Sequence, residues 1–373
     1  GVLLILSVLP LLDRNQVNEL TTLGLVLLGV IGFAIGCSIR LKDLTGLGRA
    51  IAGITVIQGF LAWGLTIVIL VPFGAALYVG MDSAVTAGHV LPLAFLLGAI
   101  AWPTAPAVTI ALIRELRCKG PLTTSTLSIV ALSDVAAVVA FGLSLEIVRA
   151  MLDGQAFSWE IGVLAPLIKL VGSLALGGIL GLGLVLMGRL MPNKGPLALA
   201  SALGGILLCL WLSDQWGLSL ILSTMTMGMV AANLRPETGV AMEPVEGIVF
   251  LLFFVISSLF FEFDAVQDVW LLAILIIVGR CTGKFVGARV GAELTQAPAA
   301  LKANVGLLLL PKAGLTMGLA FIARDTLGEP YGGYLFNALL LSTLINMLFA
   351  PPLAKWALLR SGEAQAIDKK ASR

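Results

Sequence analysis

Uninterrupted apolar runs long enough to cross a bilayer recur from one end of this 373-residue chain to the other, and no other feature limits its fold so strongly. A hydrocarbon layer ~30 Å thick needs about 20 apolar residues of helix. Lipid offers backbone N–H and C=O groups no partners, so spanning segments must be helices or strands of a closed barrel. The runs here are continuous rather than alternating, which excludes the barrel. Composition agrees: 12% of residues are charged, against roughly a quarter in soluble domains. The chain reads as an all-α polytopic membrane protein with no soluble domain of its own.

About twelve segments are expected, over 1–12, 22–39, 50–74, 90–114, 122–148, 160–188, 196–213, 217–233, 245–262, 267–289, 298–323 and 332–358. The first is too short to span, and the expectation is that residues, one helix among them, precede Gly1. Basic residues sort sharply between the two sets of loops. Those after even-numbered segments, with the tail, hold 16 lysines and arginines, whereas those after odd-numbered segments hold only Arg14, Arg149 and Arg324. The positive-inside rule then places the even loops and the C-terminus in the cytoplasm. Miscounting one central helix would scramble this sorting.

Two segments are interrupted near mid-span. Segment four contains Ala101-Trp102-Pro103-Thr104-Ala105-Pro106-Ala107, and segment eleven contains Leu310-Pro311-Lys312-Ala313-Gly314-Leu315-Thr316. Each proline removes a donor and clashes with the preceding turn. The two segments run in opposite directions, and segments three to five and ten to twelve form two oppositely oriented triplets. Pro/Gly-interrupted helices in corresponding places of inverted halves point to a transporter site, with helix breaks at Pro103, Pro106, Pro311 and Gly314.

The same triplets carry buried charge. Asp134, after Ser133, falls ~18 Å into segment five by helical rise, near the bilayer centre. Arg280 in segment ten and Lys312 in segment eleven reach ~20 Å and ~21 Å by the same measure. A charge at that depth costs about 2.5–3.5 kcal/mol on the insertion scale and marks a functional site. Lys284, one turn after Arg280, could approach the site or snorkel to the cytoplasmic surface. Lys169 in segment six has no visible acidic partner. Glu246 is placed near the interface, and Glu262 and Asp264 are placed toward external solvent.

Several classes fall away. Cys37, Cys118, Cys209 and Cys281 show no metal or redox spacing, and His89 is the only histidine. The residues offer no zinc site or Ser/His/Asp set, require no cofactor, and form no nucleic-acid-binding pattern.

The motifs together resemble the monovalent cation:proton antiporter superfamily over nearly the whole chain. Thr104-Ala105-Pro106 through Arg114-Glu115, a short basic loop and Leu132-Ser133-Asp134 carry the strongest likeness. Leu23–Ile39, Gly217–Leu234, Phe250–Asp264, Arg280-Cys281-Thr282-Gly283 and Lys312-Ala313-Gly314 match further helices of that group in order and spacing. The resemblance implies an inverted-repeat antiporter fold with two crossed discontinuous helices. It implies a transport core over 45–150 and 266–358 moving against a dimerisation scaffold over 1–44 and 155–265, with residues 361–373 a cytoplasmic tail before a possible regulatory domain. It implies a homodimer in a bacterial inner or plasma membrane, and Asp134 as the ion- and proton-binding carboxylate, helped by Ser133 and Thr104. Ser133 and Ala105 stand where many relatives carry further aspartates, so this site has fewer anionic ligands, and both Na⁺ and K⁺ stay open as substrates.

The mechanism expected is competition. Burial favours the protonated carboxyl, and a nearby cation or Arg280 favours the ionised one. Asp134 therefore holds a proton or a monovalent cation in turn, with Arg280, Lys312 and Lys284 compensating charge. Arginine keeps its proton, so Arg280 is a fixed counter-charge. One titrating acid implies one-for-one, electroneutral exchange. A sodium-coupled solute symporter and a ligand-gated K⁺ pathway or sensor are the rival readings.

Overall fold

The computed structural model describes residues 14–39, 48–73, 87–152, 164–190, 196–261, 265–312 and 314–364. Those residues form thirteen helices and no strand. In chain order they are α1 Arg14–Ser38, α2 Gly48–Leu70, α3 Ala87–Ile100, α4 Pro106–Glu115, α5 Pro121–Leu152, α6 Ala165–Leu190 and α7 Pro196–Gln215. There follow α8 Leu220–Leu234, α9 Glu237–Leu259, α10 Val266–Leu294, α11 Ala299–Leu308, α12 Gly314–Leu327 and α13 Tyr331–Arg360. Segments two to twelve are all present. Segments four and eleven each appear as two helices, as the prolines require: α3 and α4 flank residues 101–105, and α11 and α12 flank residues 309–313. The segment over 1–12, Glu262 and Asp264, the side chain of Glu246 and the tail past 364 lie outside the described residues. Among the described residues, seven helices are long and apolar enough to cross a membrane.

The chain divides into two compact units. One comprises Gly1–Leu41, Val138–Asp264 and Met317–Asn337; the other comprises Lys42–Ala137, Ala265–Thr316 and Ala338–Arg373. In the first, helices approach closely where glycine removes the side chain. A Cβ on Gly36 of α1 would strike the Met225 carbonyl of α8, and one on Gly228 of α8 would strike the Phe33 carbonyl of α1. Lys169 of α6 has an acidic partner that sequence reading did not find: its Nζ lies 2.7 Å from Glu146 Oε1 of α5.

The second unit is organised by one pair, α2 against α10. Gly279, Gly283, Gly287 and Gly291 recur every fourth residue, and a Cβ on each would meet the main chain of Thr66, Ala62, Gln58 and Ile54 in turn. Rising numbers on one helix meet falling numbers on the other, so the two run antiparallel. Lipid gives helices no hydrophobic reason to associate, so close main-chain contact through small residues does that work. The stripe also decides where charge goes. The next row of α10 (Arg280, Lys284, Ala288 and Ala292) is turned inward and buried. An apolar cluster that includes Ile51, Ile54, Ile129, Val130, Leu301 and Val305 packs against Ala288 and Ala292 of the same row.

Candidate functional site

Both helix breaks and the buried charges lie in the second unit. Pro106 opens α4 after an extended Ala105, so neither proline costs an intrahelical bond. The two breaks are joined directly: Ala105 N donates to Pro311 O at 2.9 Å, and Thr104 Oγ1 donates to Leu309 O at 3.3 Å. An interrupted helix leaves carbonyls without partners. Arg280 meets them from α10, donating from Nη1 to Leu310 O at 2.6 Å and from Nη2 to Pro103 O at 2.8 Å and Pro311 O at 3.4 Å. Its flat fork suits this bridging, because several N–H groups leave one rigid plane.

Asp134 is wholly buried, twelve residues along α5 from Leu122. Its Oδ1 accepts the main-chain N–H of Thr104 at 3.4 Å, and its Oδ2 has no partner. The break in segment four thus brings a backbone amide to the carboxylate. Lys284, one turn past Arg280, is also wholly buried and donates to Thr104 Oγ1 at 2.6 Å. It therefore does not snorkel. Lys312 points elsewhere: its Nζ donates to Ser342 Oγ of α13 at 2.7 Å, and Ser342 Oγ donates on to Leu339 O at 2.8 Å. The three buried bases therefore have three destinations: Arg280 the broken main chain, Lys284 the Thr104 hydroxyl, and Lys312 a neighbouring helix. Gly314 opens α12.

Ser133 is buried beside Asp134, and its Oγ accepts Gln58 Nε2 of α2 at 3.0 Å. Gln58 also donates to Thr55 O at 3.2 Å, and its Oε1 is left without a partner, like Asp134 Oδ2. Gln58 and Ser342 were missed in the sequence. Gln58 had a signal, as an amide inside the apolar run 50–74. Ser342 had none, since serine is common in membrane helices. Rings gather at the break: Trp102 lies 5.1 Å from Phe60 and 6.2 Å from Trp63, and Trp63 lies 4.8 Å from Phe95, between centroids.

The arrangement offers a buried carboxylate with one oxygen on the Thr104 amide and the other uncommitted, and a Thr104 hydroxyl that is itself held by Lys284. Among the described residues no group of three or more His, Cys, Asp or Glu could hold a metal ion. Such a site suits one small monovalent cation or one proton, because a single carboxylate supplies a single charge.

No curated protein matches this chain in sequence. Among solved structures it resembles the sodium proton antiporter MjNhaP1 from Methanocaldococcus jannaschii. The structure at pH 8 superposes with a TM-score of 0.72 at 16% identity, covering 96% of this chain and 91% of that one. An EM map of the same protein gives 0.71 at 14% identity, with 96% and 90% covered. At such identities the likeness shows the fold: the inverted-repeat antiporter architecture. The family model described as "Sodium/hydrogen exchanger, transmembrane" matches residues 1–360. With that match running through both breaks and every buried charge, the chain belongs to the transmembrane sodium/hydrogen exchanger family.

Proposed function

We propose that this chain is a secondary transporter that exchanges a monovalent cation for protons, with Asp134 carrying each in turn. The observation that carries the reading is a fully buried carboxylate with one oxygen on the Thr104 amide and the other unpartnered. An ionised acid in such a place needs a cation, and without one it needs a proton. Sodium is the cation named by the family and by the structural neighbour, with potassium the competing substrate.

Around the ion, Ser133 Oγ, Thr104 Oγ1 and the free Gln58 Oε1 supply neutral oxygens. Arg280 compensates the carbonyls at both breaks, Lys284 holds Thr104 in place, and Lys312 ties its break to Ser342. Neither Arg280 nor Lys284 touches the carboxylate, so both leave it free to exchange partners. One carboxylate gives one-for-one, electroneutral exchange. The transport core is assigned to 45–150 and 266–358 and the scaffold, through which two copies pair, to 1–44 and 155–265. The C-terminus is assigned to the cytoplasm.

The test is flux in proteoliposomes with an internal pH dye, comparing Li⁺, Na⁺ and K⁺ on the wild-type chain and Asp134→Asn. Wild type should alkalinise or acidify the lumen with the cation gradient, and the variant should be silent. Exchange by the variant would sink the assignment, and net current would sink the stoichiometry.

A further inference from the structure

The first amides of α5, the helix that carries Asp134, are not capped locally. Gly120 precedes Pro121 and has no side chain with which to cap them. Their partner comes from the far end of the chain. Glu363 Oε1 accepts Leu122 N at 2.7 Å, and Oε2 accepts Thr123 N at 2.9 Å and Thr123 Oγ1 at 2.7 Å. The main chain joins in, with Lys119 N donating to Glu363 O at 3.2 Å. A carboxylate bonded to the orphan N–H groups at a helix start gains both charge-assisted hydrogen bonds and the favourable end of the helix dipole.

The local sequence builds this contact from both sides. Gly362, at φ +76°, turns the chain back after α13, in a conformation that L side chains rarely adopt. Ser361 Oγ accepts Glu363 N at 3.2 Å, which steadies the turn. A Cβ on Gly120 would collide with the Glu363 carboxyl. A second link lies alongside, where Lys355 Nζ of α13 is 2.6 Å from Glu115 Oε1 at the end of α4. Residues 355–363 therefore hold the ends of two helices that meet at the site: α4, which follows Thr104, and α5, which bears Asp134 ~18 Å further along by helical rise. Cys118, beneath the contact, is 5% exposed, and burial together with the nearby Glu363 pushes its thiol up.

We propose that Glu363 is a positioning residue of the exchanger: it latches the C-terminal end of the chain onto the ion-site helix, and the latch belongs to one of the alternating states and is released in the other. The proposal rests on Asp134 being the carrier. By this account, whatever pulls on the tail changes transport through the height and tilt of α5, without entering the ion site. A cap present throughout the cycle would instead act on stability alone.

The experiment uses the full chain in proteoliposomes, with Na⁺ as the probe and three variants: Glu363→Ala, Gly120→Asp with Glu363→Ala, and Asp134→Asn. Loss of a cap shifts a two-state balance by about fivefold, so Glu363→Ala should move the apparent KM for Na⁺ by about that factor and leave the maximal rate within about twofold. Gly120→Asp supplies a local cap, and should restore thermal stability but not KM. Maleimide labelling of Cys118, read on its own peptide by mass spectrometry, should change with Na⁺ in wild type and be fast with or without it in Glu363→Ala. Should Glu363→Ala fail to fold, Glu363→Gln is read the same way. An unchanged KM, a local cap that restores KM with stability, or labelling indifferent to the substitution would each overturn the latch. Continued exchange by Asp134→Asn would overturn the carrier reading instead, and Cys118 labelling would still judge the latch.

Discussion

Lys284 reaches the centre of the site through Thr104: its Nζ lies 2.6 Å from the threonine Oγ1, while the main-chain N–H of that threonine faces Asp134 Oδ1 at 3.4 Å. The lysine and the carboxylate are thereby coupled through one residue, with no direct ion pair between them. A buried amine bonded to a hydroxyl is left without its partner when the hydroxyl is removed. Thr104→Val keeps the shape and the backbone amide and deletes only that oxygen. A buried polar group left unsatisfied costs about 1–3 kcal/mol, so thermal stability should fall by that order. Apparent cation affinity should weaken about tenfold as Lys284 loses its anchor, since each 1.4 kcal/mol is a factor of ten. Thr104→Ser should recover most of both. Equal affinity in the valine variant, measured by flux against Na⁺ concentration, would remove Thr104 and Lys284 from the site.

Arg280 answers for the broken main chain. Arg280→Met leaves Pro103 O and Leu310 O unpartnered, whereas Pro311 O still holds Ala105 N. An orphaned buried acceptor costs about 1–3 kcal/mol, so two of them should cut folded yield and the unfolding temperature severely. Arg280→Lys keeps the charge but not the fork, and should fall between. Monodisperse peak height after heating, read by size exclusion, ranks the three. A methionine variant as stable as wild type would contradict the bridging role.

The glycine stripe of α10 tests packing apart from charge. A Cβ at Gly291 would lie 2.8 Å from Ile54 Cα, backbone that cannot step aside. Overpacking of this kind typically costs about 1–3 kcal/mol. Gly291→Ala should therefore destabilise the protein by that amount, although it touches no ion-site residue. Gly204 and Gly178 have open space at the same point, and alanine there should be neutral or slightly stabilising in the same thermal assay.

Sharing of one carboxylate predicts a specific pH dependence. If protons and Na⁺ compete for Asp134, acidification on the proton-binding limb raises the apparent KM for Na⁺ by about tenfold per pH unit and leaves the maximal rate little changed, as mass action requires of two ligands for one site. A maximal rate that collapses while KM holds would instead indicate a second titrating group.

Much of this was legible in the amino acids, and particular residues show why. Pro103, Pro106 and Pro311 announced both breaks because a missing N–H and a ring clash are local facts, independent of partners. Asp134, Arg280 and Lys312 stood out because charge within an apolar run is costly wherever the helix packs. The partner of Lys169 was not legible: Glu146 lies on another helix, and which faces meet is a property of the bundle. Gln58 was passed over for the same reason, as an isolated amide in an apolar run says nothing of the serine it will reach.

By itself, then, the sequence determined that the chain is a bundle of membrane helices, where two of them break and which charges lie deep, because apolar length, proline and burial cost act over one segment at a time. Only the tertiary structure decided that Arg280 would bind carbonyls, Lys284 a threonine and Lys312 a serine, and that Glu363 would cap a helix at Thr123, 240 residues before it. Those choices depend on helix rotation. In α10 the rotation is set by four glycines against the backbone of α2, a contact that exists only once both helices are in place.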